Sequence, residues 1–214
     1  MKYNIGYVDE DPGQVERYKI KLGDTFNIVG YDIEKGLSLD ELLKRVYSSD
    51  IDLLMVDFLL VEKGILNYNG DEVVRAYEEI RPKFPMIIFT SFEGQAFPEV
   101  DNPFIIIEKS IVEENPKKFI QIIEKSIETY NSYIKKRKGT INTLLEKGEK
   151  EGLSASEKNI LLESQLELKN LDKWSNEVPY QLLDERKFDD LSKTKKEAEA
   201  YLESLIKKTK NDSI

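Results

Sequence analysis

Leu53-Leu54-Met55-Val56-Asp57 is the stretch on which the reading of this chain turns. Ile51 to Val56 is rich in large apolar side chains, and from Leu53 the run is unbroken. That composition suits a strand buried on both faces of a parallel sheet, and the run stops at a carboxylate. Working outward, Tyr3 to Val8, Phe26 to Tyr31, Met86 to Phe89 and Phe104 to Ile107 have the same β-branched and aromatic character. Amphipathic stretches over 12–22, 38–48, 70–81, 93–99 and from 116 onward separate or follow them. Ser38 with Glu41 has the spacing of a capping box, and Asn115-Pro116 sets a cap residue before a proline at the first helical position. Five strands alternating with five helices predict an α/β domain, a doubly wound five-stranded parallel sheet.

Composition narrows the chemistry. Among 214 residues there is no cysteine and no histidine. That excludes disulfides, thiolate and imidazole metal ligands, and every Ser-His or Cys-His pair. Ionic chemistry must run on carboxylates, lysines and hydroxyls. Residues 1–134 hold 15 Lys and Arg against 25 Asp and Glu, whereas 135–214 are balanced at 17 against 16. An acidic front half argues against a nucleic-acid surface, which needs clustered cations. Asp9-Glu10-Asp11 interrupts the N-terminus before a signal-peptide apolar stretch can form, and no run approaches the ~20 residues of a membrane span. The expectation is a soluble, cytoplasmic protein without nucleic-acid or membrane partners.

Doubly wound sheets carry their chemistry beyond the carboxyl ends of the strands. Here those positions read Asp9-Glu10-Asp11, Asp57, Thr90-Ser91 and Lys109, groups expected to converge on one edge. Taken singly, Asp57 reads as an aspartate opening a turn, and 9–11 as an acidic helix N-terminus. Taken together, several carboxylates at one edge repel one another unless a cation intervenes. An all-oxygen donor set favours a hard divalent ion, Mg2+ above others. With Lys109 and Thr90 beside it, Asp57 has the surroundings of a nucleophile in phosphoryl transfer, a reaction that depends on positioning and charge compensation.

The ordered set Asp9-Glu10, Asp57, Thr90 and Lys109, each after its own strand, resembles the receiver (CheY-like) domain of two-component response regulators over residues 1–134. The resemblance implies a flavodoxin-like fold and phosphorylation of Asp57 by a partner histidine kinase or phosphotransfer protein. It further implies Mg2+ held by Asp9, Glu10, Asp57 and the backbone carbonyl of Leu59, with Asp11 as an alternate ligand. Thr90 and Lys109 would meet the phosphoryl group. The chain departs from the receiver pattern at several places. Ile106 stands where an aromatic is usual, three residues before the lysine, and Ser110 replaces the proline that follows it. The stretch Leu59 to Asn69 is long, and the interval from Thr90 to Lys109, with Pro98 and Pro103, leaves little room for a fourth helix. These departures turn the expected output toward the fifth helix.

The second part, 135–214, reads as a helical extension. Ile120, Ile123, Ile127, Tyr130, Ile134, Ile141 and Leu144 keep a 3–4 spacing, interrupted by Arg137, which extends the fifth helix into a stalk. Gly148 and Gly152 mark a turn. Ser154 with Glu157 opens another helix bearing Leu161, Leu168, Leu171 and Trp174, and a last helix starts near 188. Leucine-rich helices with interspersed Glu and Lys predict coiled-coil or bundle packing, and contacts with a second copy or a partner protein. Lys135-Lys136-Arg137-Lys138 reads as a solvated helical face. The functions expected are a phosphorylatable switch, a phosphate buffer or relay without its own output, or a phosphorylation-independent scaffold. A hydrolase is disfavoured, because Leu59 stands where such an enzyme wants a second acid. The chain is therefore expected not to be an enzyme in the turnover sense.

Overall fold

The computed structural model describes residues 2–91 and 105–171. Its elements run β1 (Asn4–Val8), α1 (Pro12–Leu22), β2 (Asn27–Gly30), α2 (Leu39–Ser48), β3 (Leu53–Val56), α3 (Gly70–Ile80), β4 (Met86–Thr90) and β5 (Ile106–Glu108). A four-residue helical turn, α4 (Ile111–Glu114), then precedes the long α5 (Pro116–Lys150) and α6 (Ala155–Leu171). The strands form one sheet in the order β2-β1-β3-β4-β5, all parallel. The segment 93–99, expected to be helical, lies outside the described residues, as do Phe104, Trp174 and the helix from about 188.

The strands are buried on both faces, and period-two alternation divides their side chains between two cores. Ile5, Tyr7, Leu53, Met55, Ile87, Phe89 and Ile107 face α1 and the first turns of α5, where Phe119, Ile123 and Ile127 meet them. Val8, Leu54, Val56, Ile88 and Ile106 face the side built by α2 and α3. The loop between β3 and α3, long by sequence, is folded down rather than free: Leu60, Leu66 and Tyr68 are buried in the second core, and the Ile65 carbonyl accepts from the Gly36 amide at 3.0 Å.

The caps follow the sequence closely. Ser38 Oγ accepts from the Glu41 amide, and Asn115 Oδ1 accepts from the Lys118 amide at 3.1 Å. Glu72 Oε2 returns to the Asn69 amide at 2.9 Å, a further box the sequence carried unremarked. β1, β2 and β3 are each shorter than the apolar runs that signalled them. Phe26 and Ile51, for instance, are buried at the strand entrances, where the Phe26 amide is spent on a turn to the Leu22 carbonyl. The turn α4 was not anticipated. It arises because Val112 is buried in the first core while Asn115 ends the turn ahead of Pro116.

α5 is continuous through position 134 and spans about 50 Å at 1.5 Å per residue. A boundary at 134/135 therefore falls inside an unbroken helix. Gly148 remains within α5, and the chain reverses at Gly152, whose φ of 79° suits glycine. α6 then runs back antiparallel along α5: Lys147 pairs with Glu157 at 2.6 Å, and Arg137 Nε with Glu167 Oε2 at 2.7 Å. Arg137, which interrupts the apolar seam, is thus a cross-helix anchor. The return ends at the sheet domain. The Leu171 carbonyl accepts from the Tyr130 hydroxyl and from Arg81 Nε at 3.3 Å, and the Arg81 guanidinium stacks 4.0 Å from the Phe84 ring centre. Lys83 Nζ adds bonds to the Tyr133 hydroxyl at 2.8 Å and to Glu167 at 3.2 Å.

Tyr130→Phe removes a buried donor and, among the described residues, leaves the Leu171 carbonyl with Arg81. The expected cost is about 1–2 kcal/mol, concentrated in α6 and read as faster hydrogen exchange there than in the sheet. Acid should loosen the same hairpin. The Tyr133 hydroxyl bond, against a partial opposing effect of burial, holds the Glu167 carboxyl below its usual range. The Lys147 bond and the Ser154 amide bring Glu157 down to about 2. A depressed folded-state carboxyl stabilises above its unfolded pKa, and that stabilisation is lost as pH falls through the folded value. Helical ellipticity and exchange protection of α6 should therefore hold at pH 6 and fall between about pH 4.5 and 2.

Candidate functional site: a buried carboxylate cluster with a lysine

The parallel register sets the site. β1 and β3 are neighbours with Val8 opposite Val56, and the Asp57 amide donates to the Val8 carbonyl at 2.8 Å. Residues leaving the two strands therefore emerge side by side. On the other flank β4 pairs with β5, and the Lys109 amide donates to the Thr90 carbonyl at 2.8 Å. Four strand ends thus gather at one edge, with Asp9, Glu10 and Asp57 only 3%, 4% and 8% exposed and Thr90 fully buried.

One ligand oxygen from each of Asp9, Glu10 and Asp57 lies within 4.8 Å of the others. Lys109 Nζ is 2.8 Å from Asp57 Oδ1 and 3.1 Å from Asp9 Oδ2. One ammonium therefore serves two carboxylates, and Glu10 is left outside the pairing with a buried Oε2 that no group among the described residues bonds. Burial above all, and then the neighbouring acids, raise Glu10 and Asp57 above the ordinary carboxylate range. Lys109 offsets part of the effect at Asp57. Burial works to lower Lys109, but the charges of Asp57 and Asp9 outweigh it and raise its pKa. A second cation would relieve this imbalance. Three buried carboxylates, one with an orphaned oxygen and none beside nitrogen or sulfur ligands, fit a hard divalent ion such as Mg2+.

Asp11 is not in the cluster. It caps α1, accepting from the Gly13 amide at 2.9 Å, and its other oxygen pairs with Lys63 Nζ at 3.0 Å. The one-residue alternative to Asp9 and Glu10 as ligand thus has structural work of its own. Leu59 follows Asp57 by two residues and packs partly buried at the start of the folded loop. Two residues at the site escaped the sequence reading. Lys63 arrives from the β3–α3 loop, and nothing local in the sequence signals its reach to Asp11. The Tyr7 hydroxyl donates to Asp9 Oδ2. Its signal was available: residues two apart on a strand share a face, so Tyr7 and Asp9 point the same way.

The strand order β2-β1-β3-β4-β5, with an acidic cluster beyond β1 and β3 and a lysine beyond β5, decides the architecture. This is the receiver fold. No protein-family model matches the chain, and no curated protein matches it. Solved structures do. A BeF3-activated DrrB receiver domain is 18% identical, covering 60% of this chain and 99% of that one at a TM-score of 0.45. The response regulator TrrA of Thermotoga maritima, solved in complex with Mg2+ and BeF, is 21% identical, with 59% and 99% covered and a TM-score of 0.43. A response regulator receiver domain protein from Clostridium thermocellum is 17% identical, with 61% and 98% covered and a TM-score of 0.46. Ile106 is buried on the α3 side of the sheet, where Val8, Val56 and Ile88 also lie. Among the described residues, no helix is long and apolar enough to cross a membrane.

Proposed function

We propose that this chain is a phosphoacceptor of the response-regulator type, with Asp57 as the accepting group. The observation that carries the reading is a buried Asp57 carboxylate 2.8 Å from Lys109 Nζ, inside a cluster of three acids with converging oxygens. The donor is a histidine kinase or a phosphotransfer protein. An Asp57 oxygen forms a bond to phosphorus while the P–N bond of the donor's phosphohistidine breaks, and the electron pair leaves on the imidazole nitrogen, which takes up a proton. Lys109 would compensate charge on the phosphoryl oxygens, and the Thr90 hydroxyl would donate to them. Asp9, Glu10 and Asp57, with the Leu59 carbonyl, would hold Mg2+, whose charge neutralises the transferring group. With Leu59 where a phosphatase carries its second acid, the chain accepts phosphate and loses it slowly, and is not a turnover enzyme.

Output runs through α5. Phe89, the residue before Thr90, lies 5.3 Å from the Phe119 ring, so a shift at the end of β4 is felt by the helix that continues into the α5–α6 hairpin. That hairpin is the surface for a second copy or a partner protein, and nucleic acid is not a partner. Ile106 favours a second reading, a phosphate sink or relay, because a branched aliphatic side chain lacks the two-position swing of an aromatic ring. The test is incubation with Mg2+ and a small phosphodonor. Wild type should gain one phosphoryl group, and Asp57→Ala or chelated metal should abolish the gain. Unchanged α5–α6 exchange protection on phosphorylation selects the sink over the switch.

A further inference from the structure

We propose that Tyr7 is a positioning residue for the cation site, fixing Asp9 so that it offers the metal a single oxygen. The inference rests on the reading of Asp9 as a metal ligand. An ionised carboxylate has about four acceptor positions. At Asp9, Oδ2 takes the Tyr7 hydroxyl and Lys109 Nζ at 3.1 Å, and Oδ1 takes the Asp11 amide at 2.8 Å. Among the described residues, three of the four positions are filled from within the chain, and one remains, on Oδ1. Asp9 is thereby a one-point ligand of set orientation, the kind a small ion with strict geometry requires.

Tyr7 is itself immobile. It is fully buried, with Tyr18 and Phe89 edge-on to its ring at centroid distances of 5.7 and 6.1 Å. A phenylalanine would fill the same space, so the hydroxyl adds nothing to packing and its effect falls on Asp9. The role becomes distinct when Lys109 changes partners. Lys109 touches Asp9 and Asp57 together, and a phosphoryl group on Asp57 draws the ammonium toward the new oxygens. Tyr7 then keeps Asp9 in its orientation, and the metal ligand does not turn as the lysine leaves. Groups that orient metal ligands in this way are commonly worth ten- to a hundredfold in affinity.

The experiment compares the full chain with Tyr7→Phe and Tyr18→Phe. Titration calorimetry with MgCl2 alone should show about tenfold weaker binding for Tyr7→Phe and unchanged binding for Tyr18→Phe. The thermal midpoint of Tyr7→Phe in chelator should fall only by the few degrees that one hydrogen bond to a charged group is worth, since the packing is retained. With a small phosphodonor, the Mg2+ concentration for half-maximal labelling should rise by the same factor in Tyr7→Phe, while labelling at saturating Mg2+ stays within about threefold of wild type; a packing defect does not produce that split. Mg2+ affinity equal to wild type in Tyr7→Phe overturns the proposal, as does a loss of affinity accompanied by a fall in thermal midpoint well beyond one hydrogen bond and by impaired labelling at saturating Mg2+. Wild type that binds no Mg2+ overturns the metal reading and this inference with it. Wild type that binds Mg2+ but accepts no phosphate overturns the proposed function alone, and the calorimetric comparison still decides the role of Tyr7.

Discussion

Asp57→Asn should abolish phosphoryl acceptance entirely while leaving the unfolding midpoint in chelator unchanged or raised. The chemical half of the expectation follows from the inventory at the edge. No histidine or cysteine exists in the chain to substitute, and the amide cannot attack phosphorus at a useful rate. The stability half follows from the sign of the shift at Asp57, where burial first, and then Asp9, raise the pKa despite Lys109. An acid whose folded pKa is raised is more easily ionised in the unfolded chain, so its charge works against folding at neutral pH. Asparagine keeps the shape and removes that charge, and Lys109 retains Asp9 as a partner. Intact-mass analysis after incubation with Mg2+ and a phosphodonor reads the first half, and urea unfolding reads the second. Residual labelling in Asp57→Asn would assign the acceptor elsewhere. A large fall in midpoint would mean that the Lys109–Asp57 pair is structural rather than poised for chemistry.

Gly70→Ala should cost about 3 kcal/mol and slow phosphorylation about a hundredfold, although residue 70 has no part in the chemistry. Gly70 opens α3, its amide donating to the Phe58 carbonyl at 2.9 Å, and it lies against the Asp57 backbone. An added Cβ would sit 2.2 Å from the Asp57 carbonyl oxygen and 3.1 Å from the Phe58 Cα. Neither neighbour is a side-chain end that can swing aside. α3 must retreat from β3, or the Asp57 backbone must move, and either change disturbs a carboxylate that has to meet phosphorus in line. Gly139 is the matched control. It lies within α5 with nothing within 4 Å of a built Cβ, so Gly139→Ala should be neutral or stabilising by up to about 1 kcal/mol. Equal midpoints for the two variants would refute the close-approach argument.

The parts of this molecule that were legible in the sequence are those set by local periodicity. Leu53 to Val56 reads as a buried strand because apolar side chains on both faces demand cover on both faces. Once the strands are ordered in a parallel sheet, the residues after them must meet at one edge, which is how Asp9, Asp57, Thr90 and Lys109 came within reach of inference. The same reasoning extends to the capped starts of α2, α5 and α6, where a hydroxyl or amide side chain satisfies free backbone donors a few residues away.

Other features depend on contacts between residues that no pattern links. Arg137 reads locally as a fault in an apolar seam, and only the return of α6 makes it a partner for Glu167. Arg81 and Tyr130 meet the end of α6 because a glycine turn reverses a long helix back to the sheet. Asp11 is indistinguishable from Asp9 by residue type, and the start of α1 gives it a cap to make instead of a ligand to be. Sequence alone determined the sheet, its chemical edge and the position of Asp57 on it, since helical and strand periods and charge type are properties of neighbours along the chain. Tertiary structure decided which acid faces the cluster, which hydroxyl steadies it and where the extension docks. Those outcomes depend on distances across the fold, and such distances exist only once the chain has packed.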